Sequence, residues 1–289
     1  MTSILTNLLD GVAYGMLLFV LACGLAVTLG LMNFVNLAHG AFAMAGGYIC
    51  AVLVNSQGWP FFAALPLAFV GSAAVGALLE RLLYRHLYTR SHLDQVLFSI
   101  GLVFMSVAAV DYVMGSSRVF INLPHVLEGQ FDVFGVGIGR YRLMIIVICG
   151  LLTLALQLVL ARTRFGSRLR AAVDDPRAAS GLGINVPQVF AFTFAFGCGL
   201  AGLGGALSAE ILGLDPYFPL KFMIYFLIVV TVGGSSSITG PFLAALLLGI
   251  SDVAGKYYVP RMGPFVIYTL MIVILIWRPN GLFGRTATR

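Results

Sequence analysis

The chain has 289 residues, of which 60% are hydrophobic and only 10% charged. Soluble domains carry roughly a quarter charged residues, so this composition excludes an ordinary water-soluble fold. The net charge of +6 comes largely from arginines clustered in connecting segments, and membrane topology accounts for it more simply than nucleic-acid binding does.

No Asp, Glu, Lys or Arg occurs from residue 11 to residue 79. As a single helix such a run would far exceed the ~30 Å hydrocarbon core, so it crosses more than once. The expected fold class is all-α, a polytopic helical membrane protein of eight to nine segments, some short or discontinuous. The start "MTSILTNLLDG" has no basic region and no small-residue cleavage site, so the first segment reads as retained.

Taken in order, apolar runs of spanning length cover residues 8–31, 61–79, 96–114, 141–160 and 188–211, and a shorter one covers 265–277. Between them lie three shorter runs, 41–54, 222–232 and 241–253. The last two hold about a dozen residues, roughly 18 Å of helix, too little to span alone. They flank "GGSSSITGP", which reads as the unwound middle of a broken helix pair. The cysteines Cys23, Cys50, Cys149 and Cys198 all sit inside apolar runs with no paired spacing. They read as small core residues, and no metal site is expected.

Arginines set the sidedness. Eleven of the seventeen basic residues fall on one alternating set of connections, around 81–90, around 162–177 and in the tail. That places the N-terminus outside and the C-terminus in the cytoplasm. The whole of 1–289 reads as one transmembrane domain.

The first polar island is "GLMNFVNLAHG", with Asn33, Asn36 and His39 in an otherwise apolar run. On a continuous helix they would share about a third of the circumference. Alternatively the helix breaks there, because Gly40 and the amides invite a turn. Either they bond helices together or they line a translocation path with Gly233, Gly234, Ser235, Ser236, Ser237 and Thr239 of the second island. In the latter case the helices starting near Ala41 and Pro241 would present positive dipole ends to a carboxylate. Each island is followed by an apolar run, a Pro-containing turn, a second run and an arginine, a weak internal repeat of the kind that marks transport sites.

The connection 162–187, "RTRFGSRLRAAVDDPRAASGLGINVP", is too long for a simple loop. Ser167 is expected to cap a short basic helix over 168–173. Asp175 before Pro176 reads as an N-cap with proline at the first helical position. Gly183 suits a left-handed stop. Two short helices at a membrane face suggest docking of a cytoplasmic partner through Arg170, Asp174, Asp175, Arg177, Ala178, Ala179 and Gly183.

"GCGLAG" matches a dinucleotide-binding glycine pattern, but it lies inside an apolar span. There Gly197, Ala201 and Gly205 recur every four residues, a spacing that lets helices approach closely. Asp111, Glu210 and Asp252 fall near segment ends and read as structural or rim charges.

"RAASGLGIN" keeps the Ala-Ala-x-x-x-Gly core of the loop that permease subunits of ABC importers present to their ATPases. With "NFVNLAHGAFAMAGGY", "VGGSSSITGP", "LAGLGGAL" and "RPNGLFG", nearly the whole chain resembles a LivH-type permease of branched-chain amino acid uptake. One departure is Arg177, where the wider importer loop opens with an acidic residue. The resemblance implies a single permease domain over 1–289 in a bacterial inner (cytoplasmic) membrane, with two ABC ATPase subunits, a second related permease in a heterodimer and an extracytoplasmic substrate-binding protein. No nucleic acid is implied. Neither lysine, Lys221 or Lys256, belongs to a G-x-x-x-x-G-K-[ST] loop. No catalytic residue or cofactor is therefore expected in this chain, and ATP and Mg belong to the partner ATPases. The competing class is a self-contained secondary transporter or channel for small polar solutes such as urea or amides.

Overall fold

The computed structural model describes residues 2–32, 34–88, 90–133, 136–234 and 238–283. The first helix, α1 (Thr2–Met32), is followed by α2 (His39–Ala51), which ends in a π turn over Val52–Ser56. Next come α3 (Phe61–Leu82), α4 (His92–Met114) and α5 (Arg140–Arg162). Two short helices, α6 (Arg164–Asp174) and α7 (Pro176–Gly181), precede α8 (Val186–Leu212). The chain closes with α9 (Phe218–Gly233), α10 (Thr239–Tyr258) and α11 (Gly263–Trp277). Five of these helices, α1, α3, α4, α5 and α8, are long and apolar enough to cross a membrane.

The glycine-rich α8 is the hub. Its Gly197 meets Gly24 of α1, and a methyl on Gly205 would overlap the Ala43 carbonyl of α2. Gly202 lies against Ser72 of α3, and Ala201 is fully buried between these contacts. Three helices thus reach α8 at backbone distance, which only a small-residue surface permits. Antiparallel to α1 runs α10, with Gly15 against Ala245 and the Phe19 and Phe242 rings edge to face at 5.3 Å. By contrast α4 and α5 expose much of their apolar surface, as helices facing lipid do.

Two features depart from the sequence reading. The run expected to stop at Val253 continues to Tyr258, making α10 a helix of 20 residues, about 30 Å long. Asp252, fully buried, is ion-paired with Lys256 one turn on, so the charges are neutralised within the helix and do not end it. Secondly, the connection before α5 contains an antiparallel hairpin, β1 (Gln130–Val133) with β2 (Val136–Gly139). It was not expected, because a four-residue strand carries little periodic signal.

Candidate translocation site

The helix breaks between α1 and α2. Phe34 N–H donates to the Thr28 carbonyl, so the chain has already turned back along α1. By His39 it has climbed further, and the ring Nε2 lies 2.9 Å from the Leu21 carbonyl oxygen. A carbonyl only accepts, so Nε2 carries the proton. Leu21 precedes the end of α1 by about 16 Å of helix rise. Hence α2 starts inside the bundle and runs back until Gly47 packs on Leu214, beyond the end of α8.

A second helix starts at the same depth. Pro219, at the beginning of α9, abuts Gly40 at the beginning of α2. Ala38 and Leu220 pack together on Val103 and Val107, midway along α4. Phe226, two turns into α9, faces the His39 ring at 6.1 Å. Two helix N-termini therefore meet at mid-depth, and their positive dipole ends add.

Asn36 and His39 are both buried. The Asn36 side-chain oxygen accepts from Ala38 N–H at 3.1 Å and from the Tyr84 hydroxyl at 3.0 Å. Burial holds the Tyr84 hydroxyl well above its usual pKa, which keeps it a donor. The Asn36 amide nitrogen has no partner among the described residues. Asn33 lies outside the described residues.

The described residues of the second island lie elsewhere. Gly233 is seven residues beyond Phe226, about 10 Å further along α9, where it packs against Gly240 and Pro241. Leu282 N–H donates to the Val232 carbonyl at 2.8 Å and Phe283 N–H to the Gly233 carbonyl. Gly281 meets Gly234, so the closing "RPNGLF" segment lies directly on this turn. Ser235, Ser236 and Ser237 lie outside the described residues, and Thr239 opens α10. The described residues thus bring Asn36 and His39 to the start of α9, not to the start of α10. Pro219 and Phe226 belong to that meeting point and were missed. The only sequence signal was "DPYFPL", a proline opening an apolar run too close to the previous helix end for a full loop.

The connection 162–187 folds as two capped helices. Thr163 is the cap of α6, accepting from Gly166 N–H, while Ser167 donates its hydroxyl to the Arg164 carbonyl. This corrects the expected start by one turn, because an extended residue is needed at the cap and the chain is extended at Thr163. Asp175 accepts from Arg177 N–H at 2.9 Å and Ala178 N–H at 3.0 Å, with Pro176 at the first position of α7. Gly183 has φ +81°. Around it Gly183 N–H reaches the Ser180 carbonyl and Ile184 N–H the Ala179 carbonyl, a Schellman stop. Ala172, Ala179 and Val186 form a small core of their own. Arg170 donates to the Leu160 carbonyl at the end of α5. Asp174, Asp175, Arg177, Ala178 and Gly183 remain exposed.

A bundle of apolar helices, two of them starting in its interior, defines a multi-pass helical membrane protein built around a mid-depth discontinuity. Residues 7–275 match the model of the branched-chain amino acid transport system / permease component family, and the chain belongs to that family. It is 29% identical over 299 aligned residues to the high-affinity branched-chain amino acid transport system permease protein LivH of Escherichia coli K12, covering 97% of this chain and 96% of that protein. It is 28% identical to the corresponding permease protein BraD of Pseudomonas aeruginosa, over 97% and 96% of the two chains. The permease protein LivM of Salmonella typhimurium is 27% identical, over 94% of this chain and 68% of its own. No solved structure matches the chain.

Proposed function

We propose that this chain is the membrane-spanning subunit of an ATP-driven importer for branched-chain or related hydrophobic amino acids. Its partners would be a second, related permease, two ATPase subunits that hold ATP and Mg, and an extracytoplasmic binding protein. The second-permease reading is supported by the match to both LivH and LivM, two permease proteins of similar name.

The observation that carries the reading is the α6–α7 corner. Both helices are capped and the second is closed by Gly183. The corner buries Ala172 and Ala179 toward α8 and turns Asp174, Arg177 and Ala178 outward. A connection that served only as a positive anchor would need arginines but no such stops. A rigid corner tied to the end of α5 through Arg170 suits the transmission of force from a docked ATPase to the spans.

The passage would run where α2 and α9 begin. Two positive helix ends, the Asn36 amide, which has no partner among the described residues, and the Phe226 ring beside His39 suit a carboxylate carried on an apolar body. Gly183→Val places a branched side chain at a left-handed position. It should uncouple ATP hydrolysis from uptake while the chain still inserts and assembles. Wild-type uptake by this variant would refute the docking role.

A further inference from the structure

A groove of about 420 Å³ runs between the end of α5, the start of α8 and α6, and its depth reaches Val27 of α1. Its walls are apolar side chains such as Leu156, Val159, Phe196 and Leu200. Two threonines also face it, but Thr163 donates back to the Val159 carbonyl and Thr193 to the Val189 carbonyl. Neither hydroxyl proton is therefore offered to a polar solute, so the carboxylate of an amino acid finds no hydroxyl donor there.

The groove does not end blindly. At Phe165 and Phe192 it adjoins a second cavity of about 600 Å³, lined by Arg168, Asn185 and Gln188. Arg164 and Arg168 stand one turn apart on the exposed face of α6, while Gly166 and Leu169 are buried beneath them. Among the described residues, neither arginine has a carboxylate partner. An acidic protein surface could neutralise the arginines but would leave the apolar groove unfilled. A molecule with an anionic head and a long apolar chain matches both parts at once.

We propose that the α5–α6–α8 groove binds an anionic glycerophospholipid, its acyl chain against Val159 and Phe196 and its phosphate headgroup at Arg168. The groove occupies the last turns of α5 and the first turns of α8, so the chain points into the bilayer and the headgroup lies at its surface. Basic pockets at the cytoplasmic ends of membrane helices select such headgroups.

The test uses the full chain in vesicles. Trp59 and Trp277 are replaced by Phe, and Phe192→Trp supplies one reporter at the mouth of the groove. Acyl-brominated phosphatidylglycerol is then titrated against brominated phosphatidylcholine. The anionic lipid should quench the reporter with an apparent affinity about fivefold higher, and Arg168→Gln should remove most of that preference. Equal quenching by both lipids would mean ordinary solvating lipid and would overturn the proposal. Quenching by neither, while Trp277 in a control variant is quenched, would mean that a second copy of the chain covers the groove, and would also overturn it. As a check independent of the reporter, native mass spectrometry of the unmodified chain should show retained phosphatidylglycerol that the Arg168→Gln chain loses.

Discussion

His39 and Asn36 show how a membrane protein disposes of polar side chains. The imidazole N–H meets the Leu21 carbonyl, and the Asn36 oxygen takes two donors. His39→Ala should destabilise the chain by about 1–3 kcal/mol, because it removes a buried donor and opens a gap beside Phe226. His39→Gln, which can still donate, should recover part of that loss in thermal unfolding monitored in detergent. Uptake separates the roles: a folded Gln variant that fails to transport assigns the ring to the passage, and one that transports normally leaves it a structural bond. Gly205→Val is a harsher case. Its side chain would strike the Ala43 backbone, so no folded, monodisperse protein should be recovered.

Helix ends and helix lengths were legible where local chemistry decides them. Asp175, Pro176 and Gly183 were visible as cap, first turn and stop, because each acts within a few residues of itself. Thr163 was overlooked in favour of Ser167, since both are competent caps and only the course of the chain after α5 selects between them. The length of α10 was misjudged for a different reason. Hydropathy counts Asp252 and Lys256 as two charges, whereas the helix pairs them one turn apart. Lys256→Leu should therefore destabilise the protein, on the order of 3 kcal/mol, by leaving Asp252 buried and unpaired. Adding Asp252→Asn should restore most of the loss. If the single variant unfolds at the wild-type temperature, the pair is not what carries α10 through its charges.

Across the whole molecule, the nine apolar runs correspond to nine helices among the described residues, because composition alone demands that they leave water. What composition does not encode is depth. Nothing in "FVNLAHG" or "DPYFPL" says that both helices begin midway along α4, or that Gly40 rests on Pro219. As breaks in corresponding positions of a weak repeat, the first island and "GGSSSITGP" read as partners. Among the described residues, Gly233 and Gly234 lie against the closing "RPNGLF" segment, and His39 faces Phe226 of α9. The repeat is likewise asymmetric: α2 starts in the interior beside Pro219, while α10 opens beside Gly233, about 21 Å further along α9.

Reconstituted transport tests the central claim most directly. The chain would be placed in liposomes with its second permease, the ATPases and a leucine-loaded binding protein, and compared with the chain alone. The account predicts leucine uptake that needs ATP and every partner, and that falls to background when Gly183→Val loosens the α6–α7 corner. Leucine movement by the chain alone, without nucleotide or ATPase, would contradict it.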